Sequence, residues 1–191
     1  MLASDDKDLI EYARFLSQQA RDDAQHYEHS EIGYNYRMSN ILAAIGLGQL
    51  ENLEERVTRR REIFKYYMNA LSNTPGIEFM PEAPYNKSNR WLTVILITPE
   101  EFGTDREQVR LALERENIES RPIWKPLHIQ PVFNSQNSKN SNLKSAYPCR
   151  AVVRGVSEDL FDRGLCLPSG TAMINSDMDR VIETVLKCHR R

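Results

Sequence analysis

The sequence predicts a mixed α/β fold, and two observations carry that expectation. Short runs rich in β-branched residues, IEFM, RWLTVILIT and ESRPI among them, alternate from about residue 75 onward with stretches of helical periodicity. Ahead of them lies a long amphipathic pattern that begins at a capping serine and stops at NTPG, Asn73 to Gly76. Alternating strands and helices describe a small layered domain, and a long helix in front of it describes a link to a second body.

Taken in order, Leu9, Ala13, Leu16 and Ala20 fall at gaps of four, three and four, and Asp5 and Asp6 stand where the helix dipole favours negative charge. This predicts an amphipathic helix over about residues 5–21. RDDAQHYEHSEIGYNYRM has no periodicity and reads as a polar, aromatic loop. Ser39 can cap the next helix. Leu50, Leu53, Val57, Phe64, Tyr67 and Leu71 recur at helical gaps, which predicts one linking helix over about 39–72 with EERVTRRRE as its polar face. Its length covers only about three heptads, so packing on one body and then on another is expected ahead of an isolated coiled coil. IEFM and RWLTVILIT follow as strands. Thr104 with Glu107 makes a capping box before the apolar Val109, Ala112 and Leu113. ESRPI returns as a strand, and QPVFNSQNSKNSNLKSAYP, rich in Asn and Ser, reads as a mobile loop. Ser157 is expected to open a short helix ended by Gly164, LCLP to form a brief strand, and Ser176 with Asp179 to cap a final helix. The stripe of that helix is Met178, Val181, Ile182, Val185 and Leu186. Residues 1–50, two helices and a polar loop, have too little core to stand alone and read as the remnant of a larger domain; residues 51–191 read as a small C-terminal α/β domain.

The formal net charge of -2 gives no general attraction to nucleic acid or to an anionic membrane, although a local basic pocket for one anionic ligand is allowed. The longest apolar run, WLTVILI, is far too short to span a bilayer, and MLASDDKDLI lacks the basic region and apolar core of a signal peptide. The three cysteines, Cys149, Cys166 and Cys188, lie far apart with no CxxC pair, the pattern of reduced thiols in a cytoplasmic protein. His26 and His29 have only Glu28 and Glu31 nearby, so no metal is expected there.

Three stretches carry chemistry. Tyr34, Asn35, Tyr36 and Arg37 crowd together just before a helix N-terminus, where anions are favoured. Asn35 offers a donor and an acceptor, and Arg37 offers a planar fork suited to phosphate. The other reading buries the two tyrosines as packing residues and pairs Arg37 with a glutamate. The second stretch is RPIWKPLHIQPVF, Arg121 to Phe133, where Pro122, Pro126 and Pro131 forbid a continuous helix. It presents Trp124 to cover a flat ring, Lys125 and Arg121 to meet a pyrophosphate, and His128 to bond a hydroxyl or move a proton. The other reading places Trp124 in the core and His128 as a satisfied loop residue. The third, GLCLPSGT, reads as a turn after a strand, and GLGQ at Gly46 to Gln49 lacks the third glycine and the preceding strand of a dinucleotide fingerprint.

EIGYNYRMSNILAAIGLGQLENLEERVTRRREIFKYY, RPIWKPLHIQPVF and VSEDLFDRGLCLPSGT, in this order, resemble the sugar aminotransferases of the DegT/DnrJ/EryC1/StrS family, over nearly the whole chain. Within it the likeness is greatest to enzymes that aminate UDP-linked 4-keto-6-deoxy-N-acetylhexosamines. The resemblance implies the C-terminal part of a fold type I, aspartate aminotransferase-like enzyme that binds pyridoxal 5′-phosphate as a homodimer. It implies that Asn35 and Arg37, with Tyr34 near them, reach the cofactor phosphate of the neighbouring subunit. It implies that Trp124, Lys125 and His128 line the nucleotide-sugar pocket, and that an amino donor, glutamate, supplies the amine for the C4 ketone. Family members are about twice as long and carry their cofactor lysine upstream of the point matched by MLASDDKDLI. Lys7, Lys65, Lys87, Lys125, Lys139, Lys144 and Lys187 do not match that position, so no catalytic residue is assigned and the chain alone is expected to be inert. Some relatives are dehydratases with histidine in place of that lysine, and a nucleotide-sugar-binding or dimerisation module without catalysis is a further alternative.

Overall fold

A computed structural model describes residues 2–131 and 154–189 and divides into two compact units, Met1–Leu53 and Glu54–Arg191. Most of the predicted Asn- and Ser-rich loop, with Cys149, lies outside the described residues.

The first unit holds α1 (Lys7–Ser17) and α2 (Asn40–Glu51). The Asp6 carboxylate caps α1 by accepting from the Leu9 amide at 3.1 Å. The helix ends short of the predicted residue 21 because Gln19 (φ 71°) and Ala20 (φ 48°) turn into the left-handed region. The chain then returns and lies along this turn. Gln19 donates to the Tyr34 carbonyl (3.0 Å), Tyr34 to that of Leu16 (2.7 Å) and Tyr36 to that of Ser17 (3.1 Å), while Gln18 and Asn35 form an antiparallel bridge. Gly33 is what allows the approach, since a Cβ there would collide with the Gln19–Ala20 backbone. Ser39 caps α2 as expected, its Oγ accepting from Leu42 at 3.3 Å.

The predicted single helix over about 39–72 is two helices. Asn52 ends α2 with φ -103° and ψ 10°, and its side chain donates to the Gly48 carbonyl at 2.9 Å. An asparagine amide that competes for backbone groups, behind two helix-weakening glycines, gives the chain a place to stop. The second helix, α3, spans Leu53–Leu71.

The second unit is built on α3, β1 (Ile77–Phe79), β2 (Thr93–Ile97), α4 (Pro99–Phe102), α5 (Arg106–Arg115), β3 (Arg121–Pro122), α6 (Val156–Arg163), β4 (Gly164–Leu167) and α7 (Asn175–Lys187). The sheet runs β1-β2-β4-β3 with every neighbour antiparallel. Its registers align Ile77 with Ile97, and Ile95 with both Phe79 and Leu165. These side chains meet Ile63, Tyr67 and Leu71 of α3, Val109 and Leu113 of α5, and Met178, Val181, Ile182 and Val185 of α7 in one core. Burial of each such side chain contributes roughly 1.5–3 kcal/mol.

Several helix starts differ from expectation by a residue or two. Asp105, not Thr104, caps α5, accepting from Gln108 at 2.8 Å. Gly155 (φ 79°) precedes α6, so Ser157 lies inside its first turn. Asp177 closes the start of α7 by accepting from the Ile174 amide at 3.0 Å, and Asp179 instead accepts from the Tyr66 hydroxyl at 2.7 Å. On α7 the buried stripe includes Thr184, while Leu186 is 40% exposed. The short α4 is an element beyond those expected from sequence, and Pro99 at its start and Gly103 (φ 98°) at its end are its start and stop signals.

Candidate functional site

The first unit carries the Tyr34–Arg37 stretch, and the second carries the proline-rich and GLCLPSGT stretches. In the first, the backbone bridge to α1 displays the Tyr34–Arg37 cluster at the surface. Tyr34 and Tyr36 stack on each other with ring centroids 5.1 Å apart, and both are exposed, so they are not buried packing residues. Gln18 is where Asn35 and Arg37 meet. Its main chain bridges Asn35, and its side-chain oxygen accepts from Arg37 Nη1 at 2.9 Å. Arg37 makes no ion pair among the described residues, in contrast to the alternative that pairs it with a glutamate. With Arg14, Ser17 and Gln18 it lines a cavity of about 420 Å³ that has no carboxylate in its lining. The Ser17 hydroxyl donates to the Arg14 carbonyl at 2.8 Å, which leaves two guanidinium groups and the Gln18 amide, with no acid in the lining, as a donor set that fits a phosphate dianion. Arg14 and Gln18 carry no motif of their own; only the 33–37 return brings them to Arg37.

The histidines near this cluster serve other ends. His29 Nδ1 lies 3.0 Å from the Gln19 carbonyl, and His26 pairs with Glu28 at 3.2 Å. No group of three or more metal-ligating side chains gathers among the described residues.

In the second unit the proline-rich stretch leaves β3 as extended chain and holds one 3-10 turn, Leu127–Ile129. Trp124 is 63% exposed and leans on Trp91 with centroids 5.8 Å apart, so it is not a core residue. Lys125 is exposed. His128 turns its Nε2 to Glu158 at the start of α6, 2.7 Å away, and this leaves Nδ1 for any other partner. The Glu158 carboxyl lies below the usual range because its own main-chain N–H, His128 and the Ser157 hydroxyl all favour its charged form.

Trp91, Trp124, Arg121, Ser120, Met173 and Arg180 are among the residues around a cleft of about 680 Å³. Pro168–Gly170, extended after β4, forms one wall and leads into a turn closed by the Met173 amide on the Gly170 carbonyl (3.1 Å), so the turn expected at GLCLPSGT falls at its end. The wall is held from beneath: the Tyr67 hydroxyl donates to the Pro168 carbonyl (3.0 Å), the Thr93 amide to Ser169 Oγ (2.9 Å), and Ser169 Oγ to the Leu167 carbonyl (3.0 Å).

In the arginine run of α3, read from sequence as a polar face, Arg59 and Arg60 hold two further wall residues, and Arg61 holds the chain outside the cleft. Arg59 donates to the Met173 carbonyl at 2.6 Å and Arg60 to that of Trp91 at 3.2 Å, while Arg61 donates to that of Ser88. Arg61 also makes a two-pronged pair with Glu82 (2.9 and 3.0 Å), and Arg90 lies over the Phe64 ring at 3.8 Å. The Arg61 pair, then the Ser88 amide, hold the Glu82 carboxyl down at about 2.

The pattern of one protein family runs through residues 1–186, from the start of α1 to the end of α7. The chain belongs to the DegT/DnrJ/EryC1/StrS aminotransferase family. Its aminotransferases depend on pyridoxal phosphate. The chain is 48% identical over 186 residues to EpsN of Bacillus subtilis (strain 168), assigned as a pyridoxal phosphate-dependent aminotransferase, and covers 97% of itself and 45% of that protein. It is 32% identical over 182 residues to the GDP-perosamine synthase of Caulobacter vibrioides (strain ATCC 19089 / CIP 103742 / CB 15), covering 95% and 46%. The crystal structure of DesI in the presence of its TDP-sugar product superposes with a TM-score of 0.74 at 25% identity, over 99% of this chain and 45% of that one. The chain thus spans about half the length of the relatives it matches, and the α/β fold expected from sequence is that of the matching part of these enzymes.

Proposed function

We propose that this chain is the C-terminal part of an aminotransferase that passes an amino group from glutamate to the C4 ketone of a nucleotide-linked 4-keto-6-deoxy sugar, as a cytoplasmic homodimer. Residues 1–50 are on this reading a portion of the large cofactor domain. The observation that carries it is the Arg37 cavity, in which surface donors without a carboxylate wait for an anion.

Pyridoxal phosphate, when bound, supplies the electron sink through which an amine leaves one carbon and joins another. Asn35 and Arg37 hold its phosphate, with Gln18 setting their positions and Tyr34 beside them. This proposal places them in the partner subunit's site, as the family resemblance implies, and UDP as the nucleotide rests on the same ground. In the second unit Trp124 covers a flat ring, Lys125 meets a phosphate, and His128, braced by Glu158, turns Nδ1 to a sugar hydroxyl. These groups bind and orient. The five described lysines, Lys7, Lys65, Lys87, Lys125 and Lys187, are all exposed, whereas a nucleophilic lysine wants desolvation, which supports the expectation that none of these five attacks.

The test is borohydride reduction with pyridoxal phosphate, followed by peptide mass mapping. The expected result is no stoichiometric lysine adduct on this chain and a clear one on a polypeptide extended upstream, which then aminates the 4-keto sugar. A full adduct on one of the lysines named here would overturn the reading. In the extended enzyme, Arg37→Ala should raise the cofactor dissociation constant at least about tenfold, as expected for loss of a charge-assisted pair worth roughly 1.5–3 kcal/mol.

A further inference from the structure

We propose that Trp91 is a second substrate-positioning residue, which together with Trp124 forms an indole shelf for the nucleobase of the nucleotide-sugar substrate. The inference rests on the nucleotide-sugar reading and adds which end of the substrate this cleft takes.

Four observations carry it. First, the two indoles touch, at 5.8 Å and tilted by 31°, yet Trp91 is 56% and Trp124 63% exposed. A pair of large apolar rings left open in a cleft presents a wide flat face to a planar ligand. Second, Trp91 is held in place. Arg60 binds its carbonyl, its amide donates to Asn89 Oδ1 at 3.0 Å, and Arg90 before it is stacked on Phe64 with φ 49°. A pre-positioned ring loses little freedom when a ligand arrives. Third, the charged groups around the cleft cancel: Arg121 and Arg180 stand against Glu119 and Asp177, and Arg121 is paired with Glu119 at 2.5 Å. Such a cleft suits the uncharged base and ribose better than the diphosphate. Fourth, the Ser120 hydroxyl on the cleft wall is buried and without a hydrogen-bond partner among the described residues. A polar atom in that state is a ready partner for a ring carbonyl or ribose hydroxyl if the wall shifts slightly. Every base has a π face, so the shelf takes pyrimidine and purine alike, and neighbouring groups choose between them.

The chain contains only two tryptophans, so its fluorescence reports on this shelf alone. Excitation at the red edge of the indole band, in titrations with uridine, UDP, dTDP and GDP, is expected to give saturable quenching. Quenching by uridine should be nearly independent of salt, because the ligand and the cleft carry no net charge. Trp91→Ala should weaken binding about tenfold or more, within the range measured for loss of one base-aromatic stack. Trp91→Phe should restore most of it, and thermal unfolding of both variants should match the parent chain. If nucleotides bind and Trp91→Ala binds them equally well, the shelf is overturned while the nucleotide-sugar reading stands. If no nucleoside or nucleotide quenches the parent chain, the shelf is likewise overturned, and amino transfer is still decided by the separate assay on the extended polypeptide.

Discussion

At the scale of single residues, Glu82 and Tyr67 are two of the groups that make the stability of the second unit depend on pH. Glu82 has its folded carboxyl at about 2 against an ordinary 4.5, chiefly through Arg61. Its pairing therefore stabilises the fold above pH 4.5, and that contribution is lost as the pH falls toward 2. Glu82→Gln should lower the urea midpoint at neutral pH and flatten the loss of stability across that acid window, as followed by circular dichroism. Tyr67 behaves in the opposite sense. Burial, then the nearby Asp177, raises its phenol above 10, so the folded state holds the proton longer than the unfolded chain. Its contribution is complete below pH 10 and fades as the pH climbs past it. Spectrophotometric titration should show one tyrosine that ionises only on unfolding, and Tyr67→Phe should cost about 1 kcal/mol through the lost bond to Pro168. Neither environment is visible in sequence, because Arg61 lies 21 residues from Glu82 and Pro168 lies 101 residues from Tyr67, and only the fold brings them together.

Among the elements, most helix and strand identities were legible and the boundaries were not: α2 and α3 read as one helix, and α4 is too short to show a period. Periodicity with capping residues located α1, α5 and α7, and β-branched runs located β1 and β2. The capping difference at α5 has a local cause: Thr104 and Asp105 are adjacent capping residues, and only the backbone geometry selects between them. Asp105→Ala should destabilise the unit by roughly 0.5–2 kcal/mol, while Thr104→Ala should cost far less, by thermal denaturation. The turn after α3 makes a harder demand. Gly76 has φ 77°, and a Cβ there would come within 2.5 Å of the Phe102 amide nitrogen, so Gly76→Ala should cost more than about 1 kcal/mol. Leu113→Ala, which hollows the core between α5, α7 and the sheet, should cost roughly 2–5 kcal/mol.

Across the whole molecule the two units differ in kind. Among the described residues, Ala20 is the one buried hydrophobic residue of 1–53; the other buried hydrophobic residues lie in the second unit. α2 is apolar on every side, and Ile41, Leu42, Ile45, Leu47 and Leu50 are exposed. Hydrogen exchange should accordingly find rapid, low-energy opening in the first unit and strong protection in β2, β4, α5 and α7 of the second. Among the described residues no helix is long and apolar enough to cross a membrane. The sequence by itself determined the layered α/β class, the order of its elements and the two stretches rich in hydrogen-bonding and aromatic groups, because periodicity, turn residues and side-chain chemistry are local properties. Only the tertiary structure decided that Gln18 joins Asn35 to Arg37, that Glu158 holds His128, and that Arg59 and Arg60 of α3 set Met173 and Trp91 around one cleft. Those relations link residues far apart in the chain, and they come from the fold's closure of backbone hydrogen bonds and packing, which local pattern does not encode.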